Sequence, residues 1–293
     1  MKFPTSPASV HRETGYAGVM SPGVPPYRVT PVPPGGPATP LVFASPHSGD
    51  LYPPDMGEAA DLPAASLRSA EDAGVARLVG SGPMRGAPLI EGRIGRAYVD
   101  LNRDPGELDP ALVDGVDGPV GPKTAAGYGV LPRLAGDGAA LYARRLSRTE
   151  ARARIETVHV PYHAALGELM QATRARHGRA LLIDWHSMPA RAAGCEVVLG
   201  DRHGSACGAR LSRRLRALFE REGWRVALNR PYAGGWSTQA WGRPDEGFEA
   251  IQVELSRGLY LDEATLEPNG GHARTRRALD RVIAALCAED WSA

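Results

Sequence analysis

The chain has 293 residues, of which 43% are hydrophobic and 23% are charged, and its formal net charge is +1. These proportions are ordinary for a globular protein, and the length is sufficient for a sizeable core. A near-neutral charge gives no reason to expect a nucleic-acid or anionic-membrane partner, and no apolar run approaches the ~20 residues that a membrane-spanning helix needs.

The N-terminal segment is rich in proline, because ten of the 26 prolines lie among residues 1–40. Proline fixes φ and lacks a backbone N–H, so we predict that residues 1–39 form an extended arm rather than a packed helix or strand. Residues 1–14 lack the apolar stretch of a signal peptide, and the three cysteines form no CxxC pair. We therefore expect a cytoplasmic protein without a disulfide framework, folded as a single domain over residues 40–293.

Short apolar runs alternate with helical patterns after residue 40. The apolar runs predict buried strands at residues 40–45, 97–101, 179–184, 195–199, 225–228 and 250–254. Helical periodicity predicts helices at residues 67–79, 206–223 and 273–289, and in two pieces over 139–176 that are separated near Pro161. Residues 105–138, rich in Gly, Pro and Asp, predict a long irregular loop. This alternation indicates an α/β sandwich with a mostly parallel sheet.

Several predicted strands end in residues that bind metal ions or transfer protons. These ends carry His47, Asn102 with Arg103, His186 and Glu254. In open α/β sheets, ligands bind beyond the carboxyl ends of the strands, so we expect these side chains to converge. Two imidazoles and one carboxylate form the usual catalytic zinc site, with a fourth position for water. The sequence therefore predicts zinc, or another divalent ion, bound by His47 and His186.

The carboxylate ligand of this metal site has two candidates. Asp50 follows His47 by three residues, and Asp72 lies in the predicted helix that comes next. A third acid, Asp184, lies two residues before His186 on the same side of a strand. Asp184 is placed to orient the imidazole through the ring nitrogen that does not bind metal, and the alternative is a strand-end carboxylate without a role in the site.

Glu254 ends the predicted strand at residues 250–254 and is the predicted general base. A carboxyl group buried at a strand end has a raised pKa, which suits the transfer of a proton from water to a leaving amine. The alternative for Glu254 is an ion pair with Arg257, three residues further along the chain.

Six motifs occur in a fixed order between residue 40 and the predicted C-terminal helix. They are Ser45-Pro-His-Ser-Gly49, Val99-Asp-Leu-Asn-Arg103, Asp184-Trp-His-Ser-Met-Pro189, Gly200-Asp-Arg-His-Gly204, Pro231-Tyr-Ala-Gly-Gly235 and Val253-Glu-Leu-Ser-Arg-Gly-Leu-Tyr-Leu-Asp262. Together they resemble the N-formylglutamate amidohydrolase family, which is similar to zinc carboxypeptidases in fold and site. The resemblance implies a three-layer α/β/α domain with a mixed central sheet, one zinc per chain, and hydrolysis of N-formylglutamate to glutamate and formate in histidine breakdown.

The resemblance also implies roles for individual residues around the metal. His47 and His186 match the metal histidines of the family, and Glu254 matches its catalytic glutamate. Asp72 is favoured over Asp50 as the metal carboxylate, because the residue at the latter position varies among relatives.

Substrate binding is implied for three further residues. Asn102 and Arg103 resemble the pair with which zinc carboxypeptidases bind a substrate carboxylate, a task that suits a bidentate guanidinium. Arg257 is a second candidate, for the side-chain carboxylate or the oxyanion. Trp185 and Ser256 depart from the family pattern beside the site, which leaves the substrate more open than the type of reaction.

Three functions are therefore compatible with the sequence. The first is hydrolysis of N-formylglutamate, and the second is a metallo-carboxypeptidase or a deacylase that acts on another acyl-amino acid. The third is a non-catalytic protein that binds a small ligand, and it predicts no metal and no turnover. The expected partner in each case is a small molecule, and the sequence leaves the oligomeric state open.

Overall fold

The computed structural model describes residues 18–19 and 24–291. Its strands are β1 (Gly18–Val19), β2 (Tyr27–Thr30), β3 (Leu41–Ser45), β4 (Leu51–Tyr52), β5 (Leu89–Gly92), β6 (Ala180–Met188), β7 (Val197–Gly200), β8 (Val226–Leu228) and β9 (Phe248–Ser256). β1 and β4 pair with each other, and the other seven form one sheet in the order β2-β5-β3-β6-β9-β7-β8. The pairings of β2 with β5 and of β7 with β9 are antiparallel, and the remaining four are parallel. The mixed, mostly parallel sheet is confirmed.

Helices surround this sheet. They are α1 (Ala64–Arg68), α2 (Val75–Leu78), α3 (Pro122–Ala125), α4 (Arg148–Arg154), α5 (Val160–His177), α6 (Ala209–Arg221), α7 (Trp236–Trp241) and α8 (His272–Cys287). A π-helical turn, Ile155–His159, joins α4 to α5, and short 3-10 turns occupy Pro83–Arg85, Pro244–Glu246 and Arg257–Leu259. Within residues 18–19 and 24–291, no helix has the length and apolar character needed to cross a bilayer.

The core lies on both faces of the sheet, because successive side chains of a strand point to opposite sides. Leu41 and Phe43 of β3 belong to one buried cluster, together with side chains of α2, α6 and α8. Val42 and Ala44 of the same strand belong to the other cluster, with side chains of α4 and α5. A strand covered on both faces is buried along its whole length, and all residues of β3, β6 and β9 are buried. The three-layer α/β/α architecture is thereby confirmed.

The helix predicted at residues 67–79 is wrong in its middle, since the chain leaves helical geometry between α1 and α2. Gly74 has a φ of 79°, a left-handed conformation that favours glycine. The backbone N–H of Asp72 donates to the carbonyl of His47 at 2.9 Å instead of closing a helical turn. The interruption brings Asp72 next to the end of β3.

The strand predicted at residues 97–101 is also wrong, because this segment forms turns. The backbone N–H of Tyr98 donates to the carbonyl of Gly95 at 2.9 Å, and the Oδ1 of Asp100 accepts from the backbone N–H of Asn102 at 2.9 Å. Local hydrogen bonds of this kind compete with a sheet ladder. The predicted division near Pro161 is present as the π-helical turn Ile155–His159, which separates α4 from α5 and leaves Pro161 in the first turn of α5, where proline is tolerated.

Part of the predicted N-terminal arm joins the sheet. β2 lies at its edge, antiparallel to β5, and β1 pairs with β4. The expectation that residues 1–39 form no strand is therefore wrong for Gly18–Val19 and for the four residues Tyr27–Thr30. Proline precedes and follows these four residues but does not interrupt them, so their backbone N–H groups remain able to pair. Residues 1–17 and 20–23 of the arm lie outside the described residues, and the domain boundary at residue 39 stays a prediction.

Candidate metal centre and active site

Three buried side chains converge beyond the carboxyl ends of β3 and β6: His47, Asp72 and His186. The two Nδ1 atoms of the histidines are 3.1 Å apart. The Oδ2 of Asp72 lies 3.1 Å from the Nδ1 of His186 and 3.4 Å from that of His47. Ligands at about 2.0–2.1 Å from a tetrahedral zinc ion are about 3.4 Å from one another. The spacing of the three donor atoms therefore fits one ion.

The other nitrogen of each imidazole faces a carboxylate. The Nε2 of His47 lies 2.8 Å from the Oδ1 of Asp100, and the Nε2 of His186 lies 3.0 Å from the Oδ2 of Asp184. For His47 the carboxylate favours the tautomer with hydrogen on Nε2, so its Nδ1 lone pair points into the space beside the Oδ2 of Asp72. A lone pair and a carboxylate oxygen repel one another unless a cation or a proton lies between them, whereas the Nε2 of His186 also lies 3.3 Å from the Nδ2 of Asn102. This chemistry also fits a metal.

Asp72 is held in place by Ser187 and Arg257. The hydroxyl of Ser187 donates to the Oδ1 of Asp72 at 2.9 Å, and the guanidinium of Arg257 lies 3.5 Å from the same oxygen. Arg257 also donates to Ser187 and to the carbonyl of Ser69. Burial raises the pKa of Asp72, but His186 and His47 lower it further, so the pKa is well below its usual range. Asp72 is thus an oriented anion whose second oxygen is directed at the histidines.

The two candidate metal carboxylates occupy different environments. Asp72 is buried within the cluster, whereas Asp50 is exposed to solvent. The geometry therefore favours Asp72 over Asp50, and its role as a ligand stays a prediction. The turn between α1 and α2 decides this, and no local pattern in the sequence indicated that turn.

Glu254 lies on β9 directly opposite His186 on β6. It is buried, and its Oε1 accepts a hydrogen bond from the Nε2 of Gln252 at 2.6 Å. Burial raises the pKa of Glu254 above its usual value, while His186 lowers it and Asp72 raises it. Gln252 was missed by the sequence analysis, although its position two residues before Glu254 on a strand places both side chains on one face.

The side-chain amide of Asn102 forms hydrogen bonds with other groups of the protein. Its Nδ2 donates to the Oε1 of Gln252 at 3.2 Å, and its Oδ1 accepts from the backbone N–H of Ser237 at 2.9 Å. A Cβ on Gly235 would lie 2.5 Å from this amide, so glycine is required there for the close approach. The predicted substrate contact of Asn102 stays a prediction, and its observed contacts favour a positioning role.

A cavity of about 300 Å³ opens over the cluster, and its wall contains four cationic side chains: Arg96, Arg103, Lys123 and Arg257. Arg96 donates through Nε to the Oδ2 of Asp100 at 2.9 Å, and the Nε of Arg103 lies 3.8 Å from the same oxygen. The Nε of Arg103 is buried, and it has no hydrogen-bond partner within the described part of the chain. Arg96 and Asp100 were missed as site residues, although Asp100 lies within the motif Val99-Asp-Leu-Asn-Arg103.

Two histidines behind the cavity support the turn that carries Asn102 and Arg103. The Nε2 of His159 donates to the carbonyl of Arg103 at 2.9 Å, and the Nε2 of His163 donates to the carbonyl of Leu101 at 2.7 Å. His159 ends the π-helical turn before α5, a feature that is frequent at functional sites. Burial and the neighbouring His159 lower the pKa of His163 to about 4. This ring is therefore neutral at physiological pH.

The chain is similar to several known proteins. The family model for N-formylglutamate amidohydrolase matches residues 39–261. A curated protein of Pseudomonas aeruginosa named N-formylglutamate deformylase is 29% identical over 233 residues, which cover 76% of this chain and 83% of the relative. A protein of the same name from Pseudomonas putida is 28% identical over 187 residues, which cover 61% of this chain and 66% of the relative.

Two solved structures extend the comparison to the fold. The N-formylglutamate amidohydrolase from Ralstonia eutropha JMP134 has a TM-score of 0.84 and 33% identity, covering 90% of this chain and 98% of that one. The gene product Atu2144 from Agrobacterium tumefaciens has a TM-score of 0.62 at 19% identity, covering 90% and 96%, and supports the fold alone. The family model spans most of the chain, and the chain therefore belongs to the N-formylglutamate amidohydrolase family.

Proposed function

We propose that this chain hydrolyses N-formylglutamate to glutamate and formate, with one zinc ion bound by His47, Asp72 and His186. The observation that carries the proposal is the convergence of two imidazole nitrogens and a carboxylate oxygen beside the buried Glu254. Two nitrogen donors and one oxygen donor suit zinc and leave a position open for substrate or water. The names of the relatives support the formyl substrate.

The residues of the site have distinct tasks in this reaction. When bound, the ion supplies Lewis-acid polarisation of the amide carbonyl and lowers the pKa of a water molecule toward neutrality. Glu254 accepts a proton from the attacking water and delivers it to the amide nitrogen as the C–N bond breaks. The oxygen of the water enters formate, and the nitrogen leaves as the amino group of glutamate. Arg257 is engaged with Asp72, so we assign it to orienting that ligand.

The charge of the site supports a dicarboxylate substrate. Its cationic side chains are Arg96, Arg103, Lys123 and Arg257, and its anionic ones are Asp72, Asp100, Asp184 and Glu254. These charges cancel, so a divalent ion leaves an excess of two positive charges. N-formylglutamate carries two carboxylates and balances that excess. A cavity of about 300 Å³ is at the small end of ligand pockets, which favours a small acyl-amino acid over a peptide.

The test is a metal analysis combined with a panel of substrates. Purified protein is expected to hold one equivalent of zinc, to lose activity to a chelator and to recover it with added zinc. Among N-formylglutamate, N-acetylglutamate, N-succinylglutamate, N-formylaspartate and a blocked dipeptide, the first should have the highest kcat/KM. A protein without stoichiometric divalent metal and without turnover would instead be the non-catalytic binder, and faster cleavage of another acyl group would identify a different deacylase.

The cellular setting is proposed from the same chemistry. All three cysteines are free, which accords with the reducing cytoplasm that we propose for this chain. We also propose that the reaction belongs to histidine breakdown, as the family resemblance implies.

A further inference from the structure

Lys123 is unusual in this chain. The sequence contains 34 lysine and arginine residues, and only Lys2 and Lys123 are lysines. Lys123 belongs to α3, the short helix within the long loop at residues 105–138, and it lies in the wall of the cavity above the metal cluster. The cavity wall therefore contains a lysine, although nearly all other basic residues of the chain are arginines.

The ammonium group of Lys123 lacks an anionic partner. Across residues 18–19 and 24–291 it makes no hydrogen bond or ion pair. Arg103 and Arg96 line the same cavity, and partial burial followed by these two positive charges lowers the pKa of Lys123. The acid next to these arginines, Asp100, already contacts His47 and Arg96. Like charges gathered in one cavity destabilise one another unless an anion enters between them.

The positions of these cations differ with respect to the metal cluster. Arg96 and Arg103 both contact Asp100, whose other oxygen contacts His47. A single side chain, that of Asp100, therefore separates each of these arginines from the predicted metal ligand His47. Lys123 makes no such ion pair with Asp100 and is more exposed to solvent than Arg96 and Arg103. A carboxylate attached next to the scissile amide has to lie close to the metal, and one at the end of a side chain lies further away.

We infer that Lys123 binds the side-chain carboxylate of the substrate and sets the preference for an acidic acyl-amino acid, while Arg103 binds the carboxylate next to the amide. This inference rests on the proposed function. An ammonium group is a compact charge with three rotatable donors on a flexible stem.

The test compares the binding of glutamate, glutamine and isoglutamine to the zinc-loaded full chain by calorimetry. Glutamine lacks the side-chain charge and isoglutamine lacks the charge next to the amine. Wild type should bind glutamate more tightly than glutamine. Lys123→Met should weaken glutamate binding by about 10–100-fold, the usual worth of a hydrogen bond to a charged group, and change glutamine binding much less. Lys123→Arg should retain part of the preference.

Arg152→Met is the matched control, since it removes the same charge from an exposed residue of α4 that pairs with Glu156 away from the cavity. It should leave the glutamate-to-glutamine ratio unchanged. The inference is overturned if wild type has no such preference, if Lys123→Met keeps it, or if the variant loses discrimination against isoglutamine instead. Turnover of N-formylglutamate by wild type is measured separately, so its absence would refute the proposed function while the binding ratio still decides the role of Lys123.

Discussion

Asp100 connects the metal cluster to the arginines of the cavity. Its Oδ1 contacts the Nε2 of His47 at 2.8 Å and accepts from the backbone N–H of Asn102 at 2.9 Å. Its Oδ2 accepts from the Nε of Arg96 at 2.9 Å. Burial raises the pKa of Asp100, but Arg96 and His47 lower it further, to well below its usual range. Asp100 is therefore a buried anion that contacts the Nε2 of His47, while the Nδ1 of the same ring faces Asp72.

Asp100→Asn preserves the size and shape of the side chain that contacts His47 and removes its negative charge. The amide oxygen can still accept from His47, but the basicity that the carboxylate confers on the Nδ1 of His47 is lost. Replacing such partners of metal-binding histidines typically costs about 10–100-fold in metal affinity or activity. We expect a loss of about 1.4–2.7 kcal/mol in zinc binding, since each tenfold change is about 1.4 kcal/mol.

The measurement is competition for zinc against a chromophoric chelator at fixed pH, together with activity as a function of free zinc. Asp109→Asn is the control, because Asp109 is 3% exposed and accepts from the Nε of Arg133 at 3.0 Å and the backbone N–H of Ala111 at 2.8 Å. It has the same kinds of partner but lies outside the cavity wall. Equal zinc affinity in Asp100→Asn and wild type, or an equal loss in both variants, would refute the reasoning.

Three further predictions concern single residues. Glu254→Gln should retain zinc and lower kcat by about 10²–10⁴-fold, and an unchanged kcat would remove Glu254 from the mechanism. Arg103→Lys should mainly raise KM for carboxylate substrates, because lysine cannot form the bidentate contact; steady-state kinetics with an unchanged KM would take Arg103 out of the pocket. His163 has a folded pKa of about 4 against an ordinary value of about 6.5. The unfolded chain thus binds more protons between these values, and stability should fall by at most about 3 kcal/mol as pH drops from 6.5 to 4. Thermal unfolding of His163→Gln, whose amide can still donate to the carbonyl of Leu101, should show a smaller decrease over that range, and equal decreases would contradict the assignment.

The strands that the sequence predicts contain short apolar runs, whatever their length. Such a run lies in the long strand β6 and in the short strands β3, β7 and β8, and β9 was predicted although Glu249, Gln252 and Glu254 interrupt its apolar residues. β2, β5 and α7, with four to six residues, were missed. Polar residues or glycine occupy part of each of these segments, and so few residues carry too few periods of hydrophobicity to compensate. The strand predicted at residues 97–101 failed for a related reason, since an apolar run of five residues is also compatible with a buried turn.

By itself, the sequence determined the fold class, the family and the residue types at the strand ends, including His47, His186 and Glu254. The fold class and the residue types at the strand ends follow from side-chain chemistry and from periodicity, which are local properties, whereas the family follows from the six motifs taken together. The family resemblance already favoured Asp72 over Asp50, but only the tertiary structure placed Asp72 in the cluster, joined Asp100 to His47 and put Lys123 in the cavity wall. The physical reason is that these contacts join residues far apart along the chain, 114 positions for His186 and Asp72 and 53 for His47 and Asp100. Their meeting depends on the path of the backbone through turns whose hydrogen bonds form only when the sheet has been assembled.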